Sequence, residues 1–244
     1  MSSYFISDLH LKPQRPDLTR ALLCFLDKIA PDADALYLLG DIFEAWIGDD
    51  APYPNLTKIC QRLQELSEQG CELYFQHGNR DFLVGTQLCQ QIGASLLPEY
   101  AQVNLPCGQE ALLIHGDQLC TDDTDYMAFR DMVRSPEWQQ AFLAKPVSER
   151  LEIARQLRDT SKAQGAMKAE NITDVNNVAV AETLAKYKVR LMIHGHTHRP
   201  KIHRIGLANG KSATRIVLGD WDKSGWYLKV DHTGYDLISF PITC

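Results

Sequence analysis

Short β-forming runs alternate with helix-patterned segments along this chain, and each run is followed at once by Asp, Asn or His. Tyr4-Phe5-Ile6 leads into Asp8 and His10, Ala35 to Leu39 into Gly40-Asp41, and Leu73-Tyr74-Phe75 into Gly78-Asn79-Arg80-Asp81. The run at 111–114 leads into His115-Gly116-Asp117, and that at 190–193 into His194-Gly195-His196-Thr197-His198. Between them, Leu18, Leu22, Phe25, Leu26 and Ile29 recur at helical spacing within 17–30, closed by Pro31, and a second helix is expected over 55–69, stopped by Gly70. A β-α-β-α-β rhythm requires crossover connections, so the strands pair in parallel and the fold is α/β. In such sheets the carboxyl ends of the strands form the ligand crevice, so groups scattered from Asp8 to His198 are expected to meet in space.

Further strands are expected at 215–218 and in a β-rich tail at 226–241. From about 120 to 185 the pattern is mostly helical, interrupted by Pro136, Pro146 and Gly165. This stretch reads as a helical cap inserted into a single domain spanning 1–244. Strand side chains return to one face every second residue, so Asp8/His10 and His196/His198 are each expected to point a pair of groups into one pocket.

Asp8, His10, Asp41, Asn79, His115, His196 and His198 offer oxygen and imidazole donors without a thiolate, a set that suits Mn²⁺, Mg²⁺ or Fe²⁺ better than a structural zinc. Seven donors are too many for one ion and about right for two. A carboxylate such as Asp41 can bridge ions roughly 3.5–4 Å apart, the spacing used in phosphatases and nucleases. Taken singly, each block is ordinary turn or capping chemistry; their joint occurrence after successive strands is what points to two-metal hydrolysis of a phosphate ester or anhydride. Asp81 and Asp117 read as structural, and His77 and His194 as core or supporting histidines.

Composition narrows the partners. Twenty-five Lys+Arg against 31 Asp+Glu give a net charge of −6, which argues against a nucleic-acid binder. The longest apolar run, Ala21 to Leu26, is far short of the roughly 18–20 residues a membrane span needs. No secretory signal pattern opens the chain, and the 7 cysteines never fall as C-x-x-C, so a reduced, cytoplasmic protein is expected.

The blocks D-x-H, G-D, G-N-R-D, H-G-D and G-H-T-H together resemble the calcineurin-like metallophosphoesterase superfamily. Phe43 to Asp50, His77 to Phe82, Leu119 to Asp123 and His194 to Pro200 are similar to its branch of lipid A biosynthesis, the UDP-2,3-diacylglucosamine pyrophosphatases, over essentially the whole chain. The resemblance implies a four-layer α-β-β-α sandwich with a helical cap. It implies manganese-dependent hydrolysis of UDP-2,3-diacylglucosamine to 2,3-diacylglucosamine 1-phosphate (lipid X) and UMP, at the cytoplasmic face of the inner membrane. It places Asp8, His10, Asp41 and His198 on one Mn²⁺ and Asp41, Asn79, His115 and His196 on the other, with Asp41, Asn79, His115 and His196 as the catalytic set. Substrate contacts fall on Asn79, Arg80, Asp123, Ser161, Lys168 and His196. Two positions depart from the family pattern: Gly165 replaces a small polar residue, and Gly219-Asp220-Trp221 stands where Gly-Ala-Trp is common.

The stretch 126–158 mixes Phe129, Met132, Val133, Trp138, Phe142, Leu143, Leu151, Ile153 and Leu157 with Arg130, Arg134, Lys145, Arg150, Arg155 and Arg158. Helices packed on each other and on the core explain this pattern; an acyl-chain surface that also rests on an anionic bilayer is the sharper expectation. A monomer is expected. The competing readings are a two-metal phosphodiesterase for a soluble nucleotide and a metal-free binding scaffold, the latter disfavoured because all seven donor positions are occupied.

Overall fold

The structure, a computed structural model, describes residues 1–29, 31–167, 174–207 and 210–243, without the side chains of 159–167. Two sheets lie face to face. The first has the order β11-β10-β1-β2-β3-β4, formed by β1 (Ser3–Ile6), β2 (Ala35–Leu39), β3 (Glu72–Gln76), β4 (Ala94–Leu96), β10 (Ser224–Asp231) and β11 (Gly234–Pro241). The second has the order β5-β6-β7-β9-β8, formed by β5 (Ala101–Asn104), β6 (Glu110–Leu113), β7 (Leu191–His194), β8 (Lys201–Gly206) and β9 (Ser212–Val217). As the βαβ rhythm requires, β1 to β4 are parallel, and so are β6, β7 and β9. The edge partners β5, β8, β10 and β11 run antiparallel to their neighbours. The expected helices appear as α1 (Pro16–Ile29) and α2 (Leu56–Glu68), joined by α3 (Thr86–Ile92). Sequence patterning did not reveal α3, β4, β5 or β8, all short or, in β8, largely exposed.

Strand alternation sorts the core into three layers. In β1 and β2, Tyr4, Ile6, Leu36 and Leu38 pack under α1 and α2, whereas Phe5, Tyr37 and Leu39 face the second sheet. In β6 and β7, Leu113, Leu191 and Ile193 return that contact, while Leu112 and Met192 point outward to α7 (Asn177–Tyr187) with Val180 and Leu184. The result is helix, sheet, sheet, helix. Every side chain of β1, β2 and β7 is buried, so register there is fixed on both faces. Among the described residues, Cys60, Cys71, Cys89, Cys107 and Cys120 form no disulfide.

Between β6 and β7 the chain forms α4 (Thr124–Arg134), α5 (Pro136–Leu143), α6 (Val147–Met167) and α7. Ser135 ends α4 in extended backbone and accepts from Trp138 N, and Pro136 opens α5, so one residue stops one helix and caps the next. Arg155 is exposed and Lys145 partly so, but three other arginines expected on the outer face turn inward. Arg130 and Arg150 are buried: Arg130 bonds Asp117, and Arg150 binds the Ile47 carbonyl at 2.6 Å and clasps Asp50. Arg134 donates to the Gly78 carbonyl and lies over the Phe82 ring. These guanidiniums turned inward because carboxylates and carbonyls of the core loops were there to satisfy them. The segment also exposes Met132, Leu143 and Leu151. Trp46 is buried, donating to Asp49 and packed on Phe43 and Tyr53.

Candidate active site

All five blocks leave the carboxyl ends of β1, β2, β3, β6 and β7 on the same edge, and backbone hydrogen bonds stitch them together. Asp8 N donates to Gly40 O, His10 N to Asp41 O, and Gly195 N to His115 O. Glycine is required where the loops cross: a Cβ on Gly78 would overlap the Asp41 carboxylate, and one on Gly195 would overlap that of Asp8. Asp81 holds this crossing in place, its buried carboxylate accepting from Gly78 N, Asp41 N and Ile42 N. That is the structural role expected of Asp81, through backbone amides rather than a histidine. It also leaves Asp81 engaged, so Arg80 does not have it as an ion-pair partner.

The pairing of Asp8 with His10 and of His196 with His198 arises differently from the strand alternation expected. The strands stop at Ile6 and His194. Beyond them Asp8, His10, Asp41, His196 and His198 all adopt left-handed backbone, with φ of 55, 47, 54, 68 and 55°. Only two other non-glycine residues, Asn55 and Lys188, share that conformation among the described residues. A non-glycine residue at positive φ is uncommon and costs of order 1–2 kcal/mol, so five in one crevice mark a functional constraint.

The seven donors form one continuous cluster. His10 Nε2 lies 3.2 Å from His198 Nε2, and His198 Nε2 lies 3.4 Å from Asp8 Oδ1. Asp41 turns one oxygen to each half: Oδ2 is 4.0 Å from His10 Nε2, and Oδ1 is 3.6 Å from His115 Nε2. Asn79 Oδ1 completes the second half, 3.1 Å from His115 Nε2 and 2.9 Å from His196 Nδ1. Asp8, His10 and His198, and Asp8, Asp41 and His115, make two groups compact enough to hold a cation. Asp8 Oδ1 is buried without a well-directed hydrogen bond. His115 Nδ1 is 2.9 Å from the Leu39 carbonyl, to which it donates, leaving Nε2 to face two oxygens. Lone pairs aimed into a shared gap need a proton or a cation between them, so the residues fit divalent ions.

Protonation follows from burial and neighbouring charge. Burial pushes the Asp41 carboxyl up to about 6, with the field of His115 opposing and the Asp8 carboxylate adding to the rise. His115 rises to about 9 against its own burial, because Asp41 and Asp8 hold its proton. Burial lowers His10 and His196 to about 4, so both are neutral at pH 7 and have a lone pair to give. Burial opposes ionisation of Asp8, yet the contact with His198 and the field of His115 keep it well below the usual carboxylate range.

Of the other expected contacts, Arg80 stands beside Asn79 with its amide donating to Asp41 Oδ1 at 2.8 Å. Asp123 is the N-cap of α4, accepting from Tyr126 N. Ser161 falls within α6, its side chain outside the described residues, as is Lys168 altogether. Sequence reasoning missed Tyr126, which stacks near His196 at 6.1 Å between ring centroids and donates to Asp117. Its position in the first turn of a helix following H-G-D was the available signal. His194 is fully buried with Nδ1 donating to Gly195 O, and His77 Nε2 bonds Val84 O, as supporting histidines should.

A crevice of carboxylate, imidazole and amide donors at parallel strand ends, between two sheets, defines a metallophosphoesterase site. The calcineurin-like phosphoesterase family matches residues 1–200, and the chain belongs to that family. It is 48% identical over 242 residues to UDP-2,3-diacylglucosamine hydrolase of Tolumonas auensis, covering 99% of this chain and 98% of that protein. It is 49% identical over 238 residues to the protein of the same name from Pseudomonas entomophila, covering 98% of each.

Proposed function

We propose that this protein hydrolyses the pyrophosphate bond of UDP-2,3-diacylglucosamine, releasing 2,3-diacylglucosamine 1-phosphate and UMP in lipid A biosynthesis. The observation that carries this reading is the convergence of all seven donors in a chain that matches proteins of that name over nearly its full length. Asp8, His10, Asp41 and His198 would hold one Mn²⁺, and Asp41, Asn79, His115 and His196 the other, the two oxygens of Asp41 serving both. Two such ions polarise a water and offset charge on phosphoryl oxygens.

The chain's own groups supply the rest. Arg80 places a guanidinium, the fork that suits phosphate, beside Asn79. The left-handed loops, locked by Asp81, hold the donors in place before substrate arrives, so little reorganisation is left to the reaction. Asp123, Ser161, Lys168 and His196 are proposed as further substrate contacts, Ser161 and Lys168 on the family resemblance alone. A cleft of about 630 Å³ between the 44–54 loop and α6, lined by Trp46, Ile47, Tyr53, Leu151, Ala154 and Arg158, suits acyl chains. A helical cap at about 120–185 on a single domain, a monomeric state, and peripheral binding of the chain to the cytoplasmic face of the inner membrane complete the proposal.

The decisive assay compares manganese-loaded protein on UDP-2,3-diacylglucosamine, UDP-N-acetylglucosamine and bis(p-nitrophenyl) phosphate, following UMP or nitrophenol. Strong preference for the diacylated substrate is expected. Equal turnover without acyl chains would move the reading to a soluble-nucleotide phosphodiesterase.

A further inference from the structure

Behind two of the site's imidazoles stand carboxylates that no part of the proposed reaction uses. Asp220 Oδ2 lies 3.7 Å from His198 Nδ1, and Glu44 Oε2 lies 3.8 Å from His10 Nδ1. On the other side of the same rings, the two Nε2 atoms face each other at 3.2 Å and turn toward Asp8 and Asp41. The arrangement is thus symmetric, with an outer carboxylate, an imidazole and an inner carboxylate on each arm.

Both outer carboxylates are held by their own loops. Trp221 N donates to Asp8 O, its buried indole donates to Trp226 O, and Arg15 grips Asp222 through its carboxylate at 2.7 Å and its carbonyl at 3.0 Å. Asp220 is therefore pinned on its carboxyl-terminal side to the same strand-end loop that carries Asp8. Glu44 N donates to Leu11 O, next to His10, and its carboxylate takes Lys12 Nζ at 3.3 Å with Arg158 at 4.0 Å. His10 Nδ1 is buried and has no hydrogen bond, and Glu44, 3.8 Å away, can satisfy it after a small side-chain rotation. An imidazole can give its Nε2 lone pair to a cation only while the proton stays on Nδ1, and a carboxylate behind Nδ1 holds it there while fixing the ring's orientation.

We propose that Asp220 and Glu44 are positioning residues that hold the Nδ1 proton of His198 and His10, so that both Nε2 atoms are presented to one cation site. The inference rests on the metal-centre reading above only for what the Nε2 atoms bind. It predicts that this half of the site, and not the half built from Asn79, His115 and His196, depends on the two outer carboxylates.

The test uses the full chain labelled with ¹⁵N-histidine, first metal-free. The Nδ1–H resonances of His198 and His10 are expected in the wild type, the former lost to solvent exchange in Asp220→Ala and the latter in Glu44→Ala, each with the other ring unchanged. Calorimetric titration with Mn²⁺ is expected to show one of two ions weakened about 10–100-fold in Asp220→Ala, with partial recovery in Asp220→Asn, whose amide oxygen still accepts from Nδ1. Thermal unfolding checks that each variant is folded. Unchanged Nδ1–H signals and unchanged affinity for both ions in folded Asp220→Ala and Glu44→Ala would overturn the proposal. If the wild type binds no Mn²⁺, the metal-centre reading fails, while the metal-free spectra still decide what Asp220 and Glu44 do.

Discussion

The strand-end loops and the helical segment after Asp117 handle charge in opposite ways. In the loops, Asp8, Asp41, Asn79 and four histidines turn lone pairs into a shared gap, held there by backbone hydrogen bonds and left-handed conformations. In α4 to α6, Arg130, Arg134 and Arg150 turn inward onto fixed acceptors, while Met132, Leu143 and Leu151 face solvent. The first arrangement stores unsatisfied coordination, which is what a catalyst needs; the second satisfies its charges and exposes apolar surface, which is what a lipid-handling surface needs.

The contrast can be broken most severely at the donors. Asp41→Ala or His115→Ala is expected to lower turnover by at least about 10²–10³-fold, the scale of losing one preorganised charge-stabilising group, with native circular dichroism. Retained hydrolysis in either variant would move the chemistry out of the loops. Next, Asp81→Ala leaves three buried backbone amides without their acceptor, and a loss of about 2–4 kcal/mol in denaturant unfolding is expected. A stability change within error would show that Asp81 does not hold the loop crossing.

The same region should be acid-sensitive through His194, which burial, aided by the charge of Arg215, lowers to about 3 from an unperturbed 6.5. Below pH 6.5 the unfolded imidazole takes up a proton that the folded one resists, so acid favours unfolding. This contribution falls by about 1.4 kcal/mol per pH unit as pH drops from 6.5 toward 3, and His194→Asn should flatten that part of the stability profile.

In the helical segment the effects are smaller. Arg150→Ala is expected to cost about 1–2 kcal/mol through its buried contacts, whereas Arg155→Ala, exposed and paired with its neighbour Glu152, should stay within about 0.5 kcal/mol. Equal costs would erase the inward-facing role. Smallest of all, serine at Met132, Leu143 and Leu151 together should reduce co-sedimentation with anionic vesicles by a few-fold while leaving unfolding unchanged. Undiminished binding would sink the idea that these side chains meet lipid.

The sequence made the site legible because each strand end carries its donor within a few residues, and β-α-β order alone brings strand ends together. It also marked β1, β2, β6 and β7 as strands, but side chains buried on both faces of β1, β2 and β7 left it silent on which face meets the helices. It could not reveal the left-handed turns at Asp8 and His10, since D-x-H is compatible with extended backbone, nor the direction of Arg134 and Arg150. A helical charge pattern shows where a guanidinium starts, and the carbonyls of Gly78 and Ile47 that capture it lie far away in the chain. Glu44 escaped notice, and Asp220 stood out as a departure without a role, for a similar reason: their meaning depends on the far side of an imidazole ring, which spacing does not encode.

The five left-handed residues carry one last consequence. At roughly 1 kcal/mol each, their conformational penalty amounts to about 5 kcal/mol, comparable with the entire net stability of an ordinary domain. Glycine would adopt the same turns without that penalty, so drift that erases activity is conformationally downhill at all five positions. Aspartate and histidine thus stand where the backbone would rather have no side chain at all.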